Sequence, residues 1–155
     1  MNTGILGERA LRAAYIRKRK TGRGQIVDTS LRDAALQQLY WHAAIFFATG
    51  KSSAPTGSAH ILTAPYQAFA ASDGWINIGG ANQANWERIA EVLGHPEWRD
   101  DPRFVSNSNR LTHPAERVAL ISAVLRPRPA TERQAAFASA GVPAGPVPAP
   151  AGALR

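Results

Sequence analysis

The chain has no cysteine. That excludes disulfides, thiolate nucleophiles and Cys-ligated zinc, and it fits a reducing compartment. No apolar run approaches the roughly 20 residues needed to span a bilayer. The N-terminus lacks the basic-then-apolar order of a signal peptide. The chain therefore reads as soluble and cytoplasmic, with no membrane partner. Acidic residues are scarce, 11 against 18 basic ones. There is no G-x-S-x-G elbow for a nucleophilic serine. The glycine turns "TGRGQ" and "IGGANQ" lack the spacing of a nucleotide-binding loop. None of the four histidines, His42, His60, His95 and His113, pairs at metal-ligand spacing, so no metal site is expected.

What is present is globular in character. The chain has 155 residues, 45% of them hydrophobic and 19% charged. One domain of that size buries about 70% of its unfolded surface. The net charge of +7 is concentrated in Arg9, Arg12, Arg17, Lys18, Arg19, Lys20 and Arg23. Such a patch attracts phosphate groups; equally, it is a solvated helix end whose cations favour the C-terminal dipole.

Residues 4–19 read as a helix with Ile5, Leu11, Ala14 and Ile16 on its apolar face, Asn2 or Thr3 as cap, and Gly22 and Gly24 as its stop. "QIVDTS" (25–30) reads as a short strand. Ser30, with Asp33 three residues on, opens a second helix that runs to Gly50. That helix is apolar on much of its circumference and needs neighbours on more than one side. Residues 51–64 read as a Ser/Pro/Gly linker. "YQAFAASDGWINI" then reads as a hairpin turning at Ser72-Asp73-Gly74. Three helices follow: 82–94 between Asn82 and Gly94, 112–125 capped by Thr112, and 131–141 with Thr131 and Gln134 as a capping box. The Pro/Ala-rich end shows no element that closes a core. The expected organisation is a helix–strand–helix segment at 1–50, a linker at 51–64, a small α+β domain at 65–147 and a tail at 148–155. In fold class this is α/β: a partial Rossmann-like segment followed by a small α+β domain. A lone helix–strand–helix is not a complete domain.

Among candidate chemical groups, His60 stands beside glycine in the linker and has the best claim of the histidines to face a ligand. His42 reads as a hydrogen-bonded core or interface residue. Asp28 is either catalytic or a cap or ion-pair partner. Asp100 and Asp101 read as turn formers. Gly79-Gly80 is either an anion-binding turn or a plain strand-to-helix turn.

The ordered set "RKRKTGRGQIVDTSLRDAAL", "GSAH", "PYQAF", "DGWINIGGANQANWERI", "LGHPEWRDDPRF", "NR" and "AGVPAGPV" resembles the class III CoA-transferases, the formyl-CoA and carnitine-CoA transferase group. It is closest in form to the branch that moves CoA between dicarboxylic acids. The resemblance implies a large Rossmann-like domain with a small one, in an interlocked homodimer. It implies substrates that are an acyl-CoA and a carboxylic acid, and CoA transfer through an aspartyl thioester. No metal and no cofactor beyond the CoA thioester is implied, and no nucleic acid partner. Matched without gaps, Asn2-Thr3-Gly4 stands just after the family's nucleophilic aspartate. That residue would fall one position before Met1, so the chain reads as a fragment inactive by itself, with no catalytic residue of its own. Asn2 and Thr3 would border the nucleophile and Leu31 would lie near CoA. Gly57, His60 and Tyr66 would lie near the acyl group. The formyl branch's glycine-rich loop has no counterpart before "PYQAF", and the last helix has Gln134 and Phe137 without the family's tryptophan. A fragment of an α-methylacyl-CoA racemase-like enzyme and a basic nucleic-acid-binding module are the alternative readings.

Overall fold

A computed structural model describes residues 2–148. The proposed tail from Ala149 onward lies outside the described residues. The chain divides into two units, Met1–Pro55 and Thr56–Arg155.

The N-terminal unit is helical. Helix α1 spans Asn2–Thr21. Asn2 and Thr3 lie within it, so neither is the expected cap. Gly22 takes φ +73 and its N–H reaches the Lys18 carbonyl, the left-handed stop that glycine permits. Lys18, Arg19 and Lys20 occupy the last turn, where the helix dipole favours cations. The expected strand at 25–30 does not form. The segment has no pairing partner among the described residues, and Ile26 is 95% exposed. The expected single helix to Gly50 is two: α2 at Leu31–Gln37 and α3 at Tyr40–Thr49. Between them Gln38 and Leu39 donate to the carbonyls of Ala35 and Leu36, an i→i+3 tightening that ends α2. Ser30 caps α2, its Oγ accepting from Asp33 N at 3.0 Å. Helix α3 buries no residue, and Leu31, Tyr40 and Phe47 are exposed.

The C-terminal unit holds the core. Strands β1 (Tyr66–Ala71), β2 (Gly74–Gly79) and β3 (Ala144–Pro146) form an antiparallel sheet in the order β1-β2-β3. Phe69, Ile76 and Ile78 on one face are fully buried. Helix α4 (Gln83–Val92) brings Trp86, Ile89 and Ala90, with Leu93 just past its end, at i, i+3, i+4 and i+7 onto that core. Asn82 caps α4 through Asn85 N at 2.8 Å, and Gly94 at φ +79 ends it. A 3-10 turn at Pro96–Arg99 adds Trp98, stacked on Trp86 with centroids 6.4 Å apart. Helices α5 (Asn107–Thr112), α6 (Pro114–Leu125) and α7 (Ala130–Ser139) complete the unit.

Three local expectations are corrected here. Helix α5 is an element with no apolar periodicity to announce it, capped by Ser106, and Thr112 ends it, its hydroxyl bonding back to the carbonyls of Ser108 and Asn109. Helix α7 begins one residue before Thr131 and has no capping box. Its Ala130 N–H is accepted by Asp73 Oδ1 at 2.8 Å, a cap supplied by the hairpin turn. The Pro-rich end does close the core: Val142 is buried and β3 pairs with β2.

Two carboxylates, a half-buried Asp101 and an exposed Glu97, tie down the connection before α5. Asp101 accepts from Arg103 N, Nε and Nη2 at 2.9, 3.0 and 2.6 Å. Glu97 Oε1 pairs with His95 Nδ1 at 2.8 Å. Hydrogen bonds from Arg103 and from His95, respectively, are the main causes holding both carboxyls below their ordinary values. A depressed folded pKa adds stability that is present above the ordinary carboxylate range, near pH 4, and lost as pH falls through the folded value. The urea midpoint of the chain is therefore expected to drop between about pH 5 and pH 3. Asp101→Asn should flatten that drop, and an unchanged slope in the variant would contradict this assignment.

Candidate functional site

The sheet has a buried face and an open one. Alternation places Asn77, between Ile76 and Ile78, on the open face, with Ala68 and Gly145 as its cross-strand partners. Tyr66 pairs with Gly79, and a Cβ on Gly79 would stand 3.5 Å from the Tyr66 ring. Glycines at 79 and 145 leave the open face hollow, with Tyr66 rising from it. Two cavities share Tyr66 and Asn77. One, of about 350 Å³, runs over Gly79, Pro143 and Gly145. The other, of about 290 Å³, is closed by Ser58, Ala59 and His60.

The segment before β1 forms that second wall. Gly57 turns the chain at φ +62. Ser58 Oγ accepts from Ala68 N at 3.1 Å, and His60 N donates to Tyr66 O at 2.9 Å, so the segment lies along the free edge of β1. The His60 ring stacks on Tyr66 at 5.5 Å and 24°. Its Nδ1 receives the Leu62 N–H at 3.2 Å and the Thr63 hydroxyl at 2.8 Å. A backbone N–H can only donate, so Nδ1 is the acceptor and the neutral ring carries its proton on Nε2. Nε2 has no protein partner among the described residues, and neither do the Tyr66 hydroxyl or the Asn77 amide. The cleft thus presents donors and no carboxylate, the arrangement suited to a negatively charged oxygen ligand.

A buried cation anchors the segment that leads into β1. Arg110 is 1% exposed. Its Nε donates to Ala64 O at 2.6 Å, and its Nη1 to Phe104 O at 2.8 Å and Gln83 Oε1 at 3.0 Å. Its guanidinium lies 5.1 Å from the Trp86 ring centroid. Burial, and then repulsion from Arg117, push its pKa down to about 10 against the pull of Glu87. Arg117 is lowered by burial as well and donates to the Arg110 carbonyl. Among the described residues no acid pairs with Arg110 or Arg117; their hydrogen bonds go to neutral carbonyl and amide oxygens.

Of the residues singled out from the sequence, His60 and Tyr66 line this cleft, and Gly57 makes the turn just before the Ser58 that closes it. Asn77 was missed; its signal was one polar residue between two core isoleucines in a strand. In the N-terminal unit Thr3 lines an apolar groove of about 780 Å³ along α1 with Gly7, Leu11, Tyr15, Ile16 and Thr29. Asn2 is exposed in the first turn of α1, and Leu31, 77% exposed, opens α2. His42 is exposed, not in a core, and bonds Ser53 Oγ at 3.2 Å. His95 stacks on Trp98 at 4.4 Å, and His113 Nδ1 bonds the Asn109 carbonyl. Asp28 is exposed and has no ion-pair partner among the described residues. The Gly79-Gly80 turn is a plain one. Gly79 N, Gly80 N and Ala81 N are spent on the carbonyls of Pro143, Pro65 and Gly79, leaving no N–H there for an anion. Among the described residues no three His, Asp or Glu gather as metal ligands, and no helix is long and apolar enough to cross a membrane.

The same mixed architecture recurs in solved structures of the CAIB/BAIF kind. A crystal structure of a CAIB/BAIF family protein from Brucella suis matches 99% of this chain at a TM-score of 0.85 and 33% identity, over 41% of its own chain. The model of CoA-transferase family III matches residues 1–155, and the chain belongs to that family. Among curated relatives, the succinyl-CoA:glutarate CoA-transferase of Homo sapiens is 30% identical over 145 residues, 94% of this chain and 33% of that protein. The acetyl-CoA:oxalate CoA-transferase of Acetobacter aceti is 35% identical over 135 residues, 87% of this chain and 34% of that protein. The chain spans about a third of the length of these relatives.

Proposed function

We propose that this chain forms the acyl-side wall of a CoA-transferase that passes CoA from an acyl-CoA to a dicarboxylic acid. The observation that carries the reading is a cleft of donors without a nucleophile: His60, Tyr66 and Asn77 line one cavity, and no aspartate is among the residues lining it or its neighbour. Asp73 is committed to capping α7 and Asp101 to Arg103. In this reading the donors hold the carboxylate of the acid. The aspartate that forms the acyl anhydride, and then the aspartyl-CoA thioester, comes from outside residues 1–155. Residues 65–147 act as the small domain, Asn2 and Thr3 border the nucleophile, and Leu31 lies on the CoA side. The working enzyme is a cytoplasmic interlocked homodimer using no cofactor beyond the CoA thioester. The names of the relatives, a succinyl-CoA:glutarate and an acetyl-CoA:oxalate CoA-transferase, support dicarboxylates as the acid class.

The test has two arms. The chain alone, given succinyl-CoA and glutarate, is expected to form no glutaryl-CoA above the blank, and turnover proportional to added polypeptide would overturn the external nucleophile. Titrated with glutarate, the side-chain NMR signals of His60, Tyr66 and Asn77 are expected to shift together and saturate. Shifts elsewhere only, or none, would overturn the cleft as the acid site.

A further inference from the structure

We infer that Asn107, seconded by Arg110, is a positioning residue that fixes which nitrogen of His60 carries the proton and thereby makes His60 a donor toward the cleft. Asn107 and Arg110 stand three residues apart on α5, on one face of the helix. Asn107 uses both ends of its amide on the segment after His60. Its Oδ1 accepts from Ala64 N at 3.0 Å and its Nδ2 donates to Leu62 O at 2.8 Å. Arg110 Nε takes the Ala64 carbonyl at 2.6 Å. Residues 62 and 64 are therefore both held, and Thr63 is pinned between them. The two donors to His60 Nδ1 are the N–H of Leu62 and the hydroxyl of Thr63. Without the clamp the Leu62 and Thr63 groups lose their fixed aim, and Nδ1 is free to take the proton. Only an amide serves at position 107, since one end must accept and the other donate; a carboxylate there would face the Leu62 carbonyl with no proton to offer.

This inference rests on the acid-site reading only for its consequence, that Nε2–H points at a substrate carboxylate. The tautomer itself is read without any ligand. The experiment is long-range 1H–15N correlation of the imidazoles in the uniformly labelled chain at about pH 8.5, above the ordinary histidine range. His60 is assigned by His60→Gln. In the native chain His60 is expected as the Nε2–H form; an Nδ1–H or evenly mixed pattern there overturns the inference without any variant. In Asn107→Ala the preference is expected to fall by roughly tenfold, the effect of losing the hydrogen bonds that aim the two donors. Thr63→Val, which removes one donor and leaves α5 intact, is expected to fall between the two. Asn107→Gln, which retains both amide ends on a longer stem, is expected to recover more of the Nε2–H form than Asn107→Asp. A native tautomer pattern in both Asn107→Ala and Asn107→Asp would reduce the clamp to a purely structural contact and sink the proposal. Should Asn107→Ala fail to fold, the native pattern and the Thr63→Val comparison decide. Absence of glutarate shifts with the expected tautomers intact would count against the acid site, not against the clamp.

Discussion

Arg110→Ala is expected to destabilise the C-terminal unit by about 3–5 kcal/mol, measured as the urea midpoint followed by tryptophan fluorescence. The alanine removes donors from three acceptors at once, the carbonyls of Ala64 and Phe104 and the amide oxygen of Gln83. The two carbonyls are buried, whereas Gln83 is exposed, and each buried acceptor left without a partner costs about 1–3 kcal/mol. It also removes the planar group lying against Trp86. Relief of the buried charge works in the other direction, since desolvation is the first cause of the lowered Arg110 pKa. The orphaned carbonyls outweigh it because they stay buried whatever happens to the charge. Arg110→Met, which retains bulk, should cost less than alanine, and Arg110→Lys should fail to match arginine because a single ammonium cannot reproduce the planar fork. A loss below about 1 kcal/mol for alanine would mean that water enters and serves the two buried carbonyls.

Gly80→Ala is expected to cost about 1–3 kcal/mol, the range for overpacking a close-packed site. A Cβ there would stand 2.6 Å from the Pro65 carbonyl oxygen, 2.9 Å from Ile89 Cδ1 and 3.0 Å from Pro65 Cδ. Ile89 can rotate; the Pro65 backbone cannot, since its carbonyl also accepts Gly80 N at 2.7 Å and Ala64 beside it is held by Arg110. The chain's answer must be to push Pro65 and Tyr66 outward, which moves a wall of the cleft. Gly80→Ala should therefore displace the Tyr66 ring signals as well as the unfolding midpoint. A variant as stable as the native chain, with Tyr66 unmoved, would contradict the close approach.

Both effects concern the segment 62–66, and its legibility in the sequence was partial. His60 was picked out as a histidine beside a glycine in a linker, and Tyr66 by the family resemblance. What holds them was not visible. The bonds from Asn107 and Arg110 cross 43 to 46 positions of chain, and α5 shows no apolar stripe because its purpose is polar: it carries the clamp. The cap of α7 crosses 57 positions to Asp73 for the same reason. Asn77 went unnoticed because a strand pattern reveals alternation but not which face remains open.

The sequence by itself determined the features whose causes lie within a few residues. Asn82 and Ser30 cap the helices that follow them, Gly22, Gly50 and Gly94 end helices with positive φ, and Gly74 closes a two-strand hairpin. Its ordered motifs also determined the family. Only tertiary structure decided whether an extended segment becomes a strand. Residues 25–30 have the composition of one and stay unpaired, while the Pro-rich Ala144–Pro146 is one because β2 stands beside it. Tertiary structure likewise decided which histidine lines a cleft and which of its nitrogens carries the proton. The physical reason is common to both: a strand's hydrogen bonds and an imidazole's proton are set by partners distant in sequence, which local pattern does not record.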